Sequence, residues 1–176
     1  MGWSTRAAKP DRTRVVELCP GLLYPVGWDL TGAVESTPPI LWSGRIEFNE
    51  QVGRYELRWL KVDAETGATV TGEVLRSIPV SQLIMQVVKP IDQKPMAGPY
   101  ALTSELQARM REAGPVTETL QMVAWIYRVA FATGDSPTKR VATSFDIPRP
   151  TADRWVRTAR DRGLLGDEPG PGKASV

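Results

Sequence analysis

Thr138 to Arg162 reads TKRVATSFDIPRPTADRWVRTARDR, and this stretch decides how the chain is interpreted. Val141, Ala142, Phe145, Ile147, Ala152, Trp155 and Val156 are apolar at the spacings that two short crossing helices need. A first helix is expected over about 137–145 and a second over about 149–162. Ser136-Pro137 suits a helix start, with a capping side chain and then proline in the first turn. Ala142 is small where the helices must cross closely. Asp146 holds a turn position that favours glycine, and Asp tolerates left-handed backbone better than most residues. Ile147 plugs the turn, and Pro148 and Pro150 keep the chain extended before launching the second helix. Ala152, Trp155, Val156 and Ala159 give that helix its buried stripe, and its polar remainder is rich in arginine. This is the layout of a helix-turn-helix, which places its second helix in the major groove of DNA.

On that reading Arg149, Thr151, Arg154 and Arg157 face base edges, since the N-terminal half of a groove-inserted helix meets the bases. Arginine matches the O6 and N7 acceptors of guanine in bidentate geometry. Thr138, Lys139, Arg140 and Arg160 are placed for phosphates, which fix position and supply salt-dependent affinity. Two amphipathic helices and a turn also occur in proteins that never touch DNA. The basic polar face is what favours nucleic acid here. Trp155, Trp125 and Tyr127 read as core rather than as stacking platforms.

Charge supports the same place. The net +2 is uneven: residues 1–14 carry Arg6, Lys9, Arg12 and Arg14 against Asp11, while residues 15–137 carry 10 basic and 14 acidic groups. Residues 138–163 carry 7 basic groups against Asp146, Asp153 and Asp161. Positive charge thus gathers at the motif, as phosphate binding requires. The chain has no histidine, which removes His-based acid–base catalysis, the Ser-His-Asp triad and the common zinc sites. No glycine-rich phosphate loop occurs either. No catalytic residue, metal site or cofactor is expected, and the chain is read as non-enzymatic. Cys19 is the single cysteine, and no apolar signal or membrane-length run is visible, so a cytoplasmic location is expected. For a phage-encoded protein that means the host cytoplasm.

Working outward, the fold class is α+β: a small antiparallel β-sheet domain with a capping helix, then an all-α wingless helix-turn-helix domain. Residues 1–13 read as a disordered basic arm and 14–89 as the β-rich domain. Residues 90–102 read as a Pro/Gly linker, 103–165 as the helical domain and 166–176 as a disordered tail. Strands are expected at Arg14–Cys19, Leu22–Trp28, Ile40–Phe48, Arg54–Val62 and Thr69–Leu75. Ile40, Trp42, Ile46 and Phe48 share one parity. In the next strand Tyr55, Leu57 and Trp59 share one parity and Leu60 and Val62 the other, so a bulge or change of face is expected. Pro79 opens a helix with its stripe on Val80, Leu83, Ile84, Val87 and Val88. Thr103–Ala113 reads as a helix with Ser104 and Gln107 in capping-box positions. The next runs from Thr117 to Thr133 and stops at Gly134, with Leu120, Val123, Ala124, Tyr127, Ala130 and Phe131 on one face.

The stretch Thr117–Leu165 resembles the C-terminal helix-turn-helix of a group of small regulators and uncharacterised proteins from actinobacteria and their phages. The resemblance rests on Pro137-Thr138-Lys139-Arg140-Val141-Ala142, Thr151-Ala152-Asp153-Arg154-Trp155-Val156 and Arg160-Asp161-Arg162-Gly163-Leu164-Leu165. Val70–Val80, VTGEVLRSIPV, is similar to a segment found before such domains. The resemblance implies DNA binding and names no operator.

The leading expectation is therefore a sequence-specific double-stranded DNA-binding protein acting as a transcriptional regulator. One such motif reads few base pairs, so a homodimer or higher assembly is expected. The N-terminal domain would then serve self-association or a protein partner or effector. A phage packaging or recombination accessory protein is the second reading, and a protein-interaction module without DNA the third.

Overall fold

The computed structural model describes residues 2–20, 22–88 and 102–165. Four strands come first: β1 (Trp3–Cys19), β2 (Leu22–Val34), β3 (Ile40–Asn49) and β4 (Arg54–Ala64). Six helices follow among the described residues: α1 (Gly72–Ser77), α2 (Val80–Val87), α3 (Ser104–Ala113), α4 (Thr117–Ala132), α5 (Pro137–Phe145) and α6 (Arg149–Asp161). The strands form one sheet in the order β1-β2-β3-β4, and the chain is α+β. Among the described residues no helix is long and apolar enough to cross a membrane.

Alternation builds the sheet. Ile40, Trp42 and Ile46 of β3 are buried, and the antiparallel register sets them opposite Val34, Gly32 and Trp28 of β2. Gly32 is required there, because a Cβ would collide with the Trp42 ring and with the Ser4 carbonyl oxygen of β1. Phe48 and Tyr55 meet edge to face across the β3–β4 turn, with ring centroids 5.3 Å apart. On the other face Arg45 ties three strands together. Its guanidinium donates to Asp11 of β1 and Asp29 of β2 at 3.0 Å each, and to Glu47 of β3 at 2.7 Å. Hydrogen bonds from Thr13 and from Arg45 hold the Asp11 carboxyl below its usual range.

That clamp explains a correction. The expected disordered arm at residues 1–13 is the first half of β1, which begins at Trp3. Its basic sequence shows no alternation, but its backbone has a partner: the Glu35 amide donates to the Gly2 carbonyl at 2.9 Å, and Ser4 reaches Ala33. A second correction concerns Thr69–Leu75, which is no strand. Thr71 caps α1 by accepting from the Val74 amide, Glu73 lies in the first turn where the helix dipole favours an acid, and Val74 is buried. The expected stripe of the next helix holds for Leu83, Ile84, Val87 and Val88, all buried, while Pro79 caps α2 rather than opening it. β4 changes face as its parity suggests. Leu57 and Leu60, three residues apart, both reach the Gly44 side of β3, and Arg58 and Trp59 between them are exposed.

Contacts divide the chain into two compact units. Of the described residues, one holds 2–16, 24–48 and 55–88, and the other 17–23 (residue 21 excepted), 49–54 and 102–165. In the second, α4 packs on α5 and α6, and one apolar cluster runs through Met110, Leu120, Val123, Tyr127, Phe145, Trp155 and Leu165. The Cys19 thiol is buried in this unit, 3.8 Å from the Trp125 carbonyl oxygen. The expected tail, and all of the expected linker but Leu102, lie outside the described residues.

Candidate nucleic-acid interface

Local sequence shapes α5, α6 and the turn between them. Asp146 ends α5 in left-handed conformation at φ 52° and ψ 50°, as its place in the turn suggests. Ile147 then closes the turn through its amide, which donates to the Ala142 carbonyl at 3.0 Å. Pro148 and Pro150 flank the first residue of α6, where a missing amide hydrogen removes no internal helix bond. Ser136 does not cap α5 with its side chain. Asp135 does more there, accepting from the Ser136 amide at 2.7 Å and from Arg140 at 2.7 Å.

The buried side of the pair matches the expected motif core. Val141, Phe145, Ala152, Trp155 and Val156 are buried, and Ala142 and Ile147 pack against them half-buried. Phe145 meets Trp155 edge to face at 5.4 Å and 76°. Ala152 and Ala159 are fully buried, so the backbone of α6 comes close to its neighbours.

Three clamps absent from any local sequence pattern fix this arrangement. Gln107 of α3 is no capping-box residue. Thr103 caps α3, accepting from the Leu106 amide at 3.2 Å, and the Gln107 amide side chain donates to the Ser144 carbonyl at 2.8 Å. Arg111 pairs with Asp146 at 2.9 Å and so braces the turn. Arg128 of α4 donates to the Leu164 carbonyl at 2.8 Å, just past α6.

The outer surface of α6 sorts the candidate residues. Arg149, Arg154 and Arg157 are exposed, and at about 100° per residue they fall within an arc of about 140°. Thr151 lies beyond Arg154 at the border with the buried stripe and is half-buried. Among the described residues Arg149, Arg154, Arg157 and the exposed Lys139 of α5 have no ion-pair partner. Arg162, exposed and likewise unpaired, was not among the expected contacts. Asp153 and Asp161 share the exposed arc and make no ion pair with these arginines. Two expected phosphate contacts have partners within the protein, and Arg140 of the two remains exposed. Arg160 donates to the Tyr127 hydroxyl at 2.8 Å and stacks 5.1 Å from that ring centroid, and Arg140 pairs with Asp135. Thr138 is half-buried at the start of α5.

Comparison of the chain with protein-family models, with curated proteins and with solved structures gives no match.

Proposed function

We propose that the protein is a sequence-specific double-stranded DNA-binding protein, a transcriptional regulator that reads the major groove with α6 of a helix-turn-helix formed by α5 and α6. One observation carries the reading. α6 is buried along one side by Ala152, Trp155, Val156 and Ala159, and turns an arc with three unpaired arginines outward. Arg160, by contrast, is taken up by the fold through Tyr127. Unpaired cations on a braced helix suit an anionic polymer, and their planar guanidinium groups suit guanine edges. Asp153, in the same arc, is placed to accept from a cytosine amino group.

Within this reading Arg149, Arg154 and Arg157 contact bases, with Thr151 at the border of the surface, and Lys139 contacts phosphate. Arg160 positions α6 through Tyr127. Selection of bound duplexes from a random pool tests the proposal and reports half-site symmetry in the same experiment. The Arg149→Ala and Arg154→Ala variants should each lose about 1–3 kcal/mol on the selected site and relax preference at one base pair. Lys139→Ala should weaken all duplexes alike and lower the salt slope by about one. No duplex binding even at about 50 mM salt, where phosphate contacts are strongest, would refute the proposal.

A further inference from the structure

The two outer edges of the sheet differ in chemistry. β1 carries Arg6, Lys9, Arg12 and Arg14, all exposed and, among the described residues, without ion-pair partners, together with Pro10. A second copy of such an edge would be repelled, and proline cannot donate to a new ladder. β4 has no proline, and it carries both signs: Arg54, Arg58 and Lys61 beside Glu56 and Asp63. Among the described residues no strand pairs with its outer side. Trp59 is 46% exposed there, and Lys61 and Asp63 are exposed and paired to each other at 3.0 Å.

We propose that the outer edge of β4 is a self-association surface, on which two copies pair antiparallel about a two-fold axis between Arg58 and Trp59. The axis stands perpendicular to the sheet, so it keeps each face on its own side. Paired residues must therefore already share a face within one strand. In a regular strand this forbids an axis between two adjacent residues, because they point opposite ways. The face change at Arg58 and Trp59 removes the obstacle. Leu57 and Leu60 both lie on the Gly44 side, while Arg58 and Trp59 are both exposed.

With that axis the pairs fall out in order. Arg58 meets the partner copy's Trp59 twice, in cation–π geometry. Leu57 meets Leu60, and Glu56 meets Lys61. The rule continues outward until Arg54 meets Asp63. Every charged pair is attractive, and each pair occurs twice in an isologous interface. Backbone pairing of an exposed edge supplies affinity, and these side chains supply register. The proposal stands apart from DNA binding: its test contains no DNA, so its failure leaves the reading of α6 intact.

Sedimentation velocity of the full chain over about 1–100 μM should show a concentration-dependent dimer. Glu56→Lys and Lys61→Glu each set like charges against each other twice. Each alone should raise the dissociation constant about tenfold or more. Mixed in equal amounts, the two variants should recover the dimer, since each changed residue then faces an opposite charge. Recovery also establishes that both variants are folded, and far-UV circular dichroism checks this independently. A monomeric wild-type chain, single variants that dimerise as the wild type does, or folded variants whose mixture stays monomeric would each overturn the proposal.

Discussion

Replacing Gly32 with alanine should be the most damaging small change in the sheet. The added methyl would lie between the Ser4 carbonyl oxygen of β1 and the fused ring of Trp42. Carbon atoms normally stand about 3.5–4.0 Å apart, so the overlap exceeds about 1 Å on both sides. Neither neighbour can yield easily. Trp42 is only 2% exposed, and Ser4 meets the new atom through backbone. Overpacking typically costs about 1–3 kcal/mol, and two rigid neighbours put this site at the upper end, near 3 kcal/mol. Gly27 is the matched control. It lies on the same strand, and the nearest atoms a methyl there meets belong to the Arg45 guanidinium, from 2.7 Å, and the Glu47 side chain, so side chains rather than backbone or a buried ring must shift, at some cost to the Arg45 clamp. Alanine at Gly27 also lowers unfolded-chain entropy, which offsets about 0.4–1 kcal/mol. Urea unfolding of both variants, followed by far-UV circular dichroism with the slope held as a check, measures the difference. Equal losses, or a larger one at Gly27, would refute the steric account of this strand.

Other outcomes follow from the helical unit. Tyr127→Phe removes the hydroxyl that accepts from Arg160, and should cost about 1 kcal/mol in urea unfolding while keeping the ring beneath the cation. Asp146→Ala should destabilise by about 1–2 kcal/mol, because alanine is strained in left-handed backbone, whereas Asp146→Gly should be close to neutral despite losing the Arg111 ion pair. Burial pushes the Cys19 thiol up to about 11, so it should resist alkylation at pH 8 in the folded protein and react readily in urea. The sign of its linkage is set by the raised folded value. Its contribution is present below about pH 9 and is lost as pH rises toward about 11, so thermal unfolding should shift down over that window. Burial of Tyr55 acts in the same direction at still higher pH.

The sequence made some parts of this molecule plain and hid others for identifiable reasons. α5, α6 and their turn were legible because each local cue agreed: apolar spacing, small residues at the crossing, Asp146 at the left-handed position and prolines at the helix start. β3 showed itself by strict alternation. β1 did not, since what orders it is a neighbouring strand and Arg45, 34 residues from Asp11. The braces Gln107–Ser144 and Arg111–Asp146 span 37 and 35 residues, beyond the reach of any local pattern. Arg160 is hidden for the same reason. On the helix wheel it lies in the same arc as Arg149 and Arg157, and only the long-range packing of Tyr127 of α4 distinguishes it.

The order β1-β2-β3-β4 has a consequence for how the chain comes into being. Every strand after the first lies beside the one made just before it, so only β1 waits for a partner, and that partner is the next strand to emerge. Loop closure involves only short turns, and pairing advances as each hairpin emerges. The helical unit differs, because α4 packs on α6 as well as on α5 and so waits for a helix two places on. Synthesis from the N-terminus and assembly of the sheet can therefore run in step, leaving β4 as the last strand to find its place and its outer side as the last to be formed.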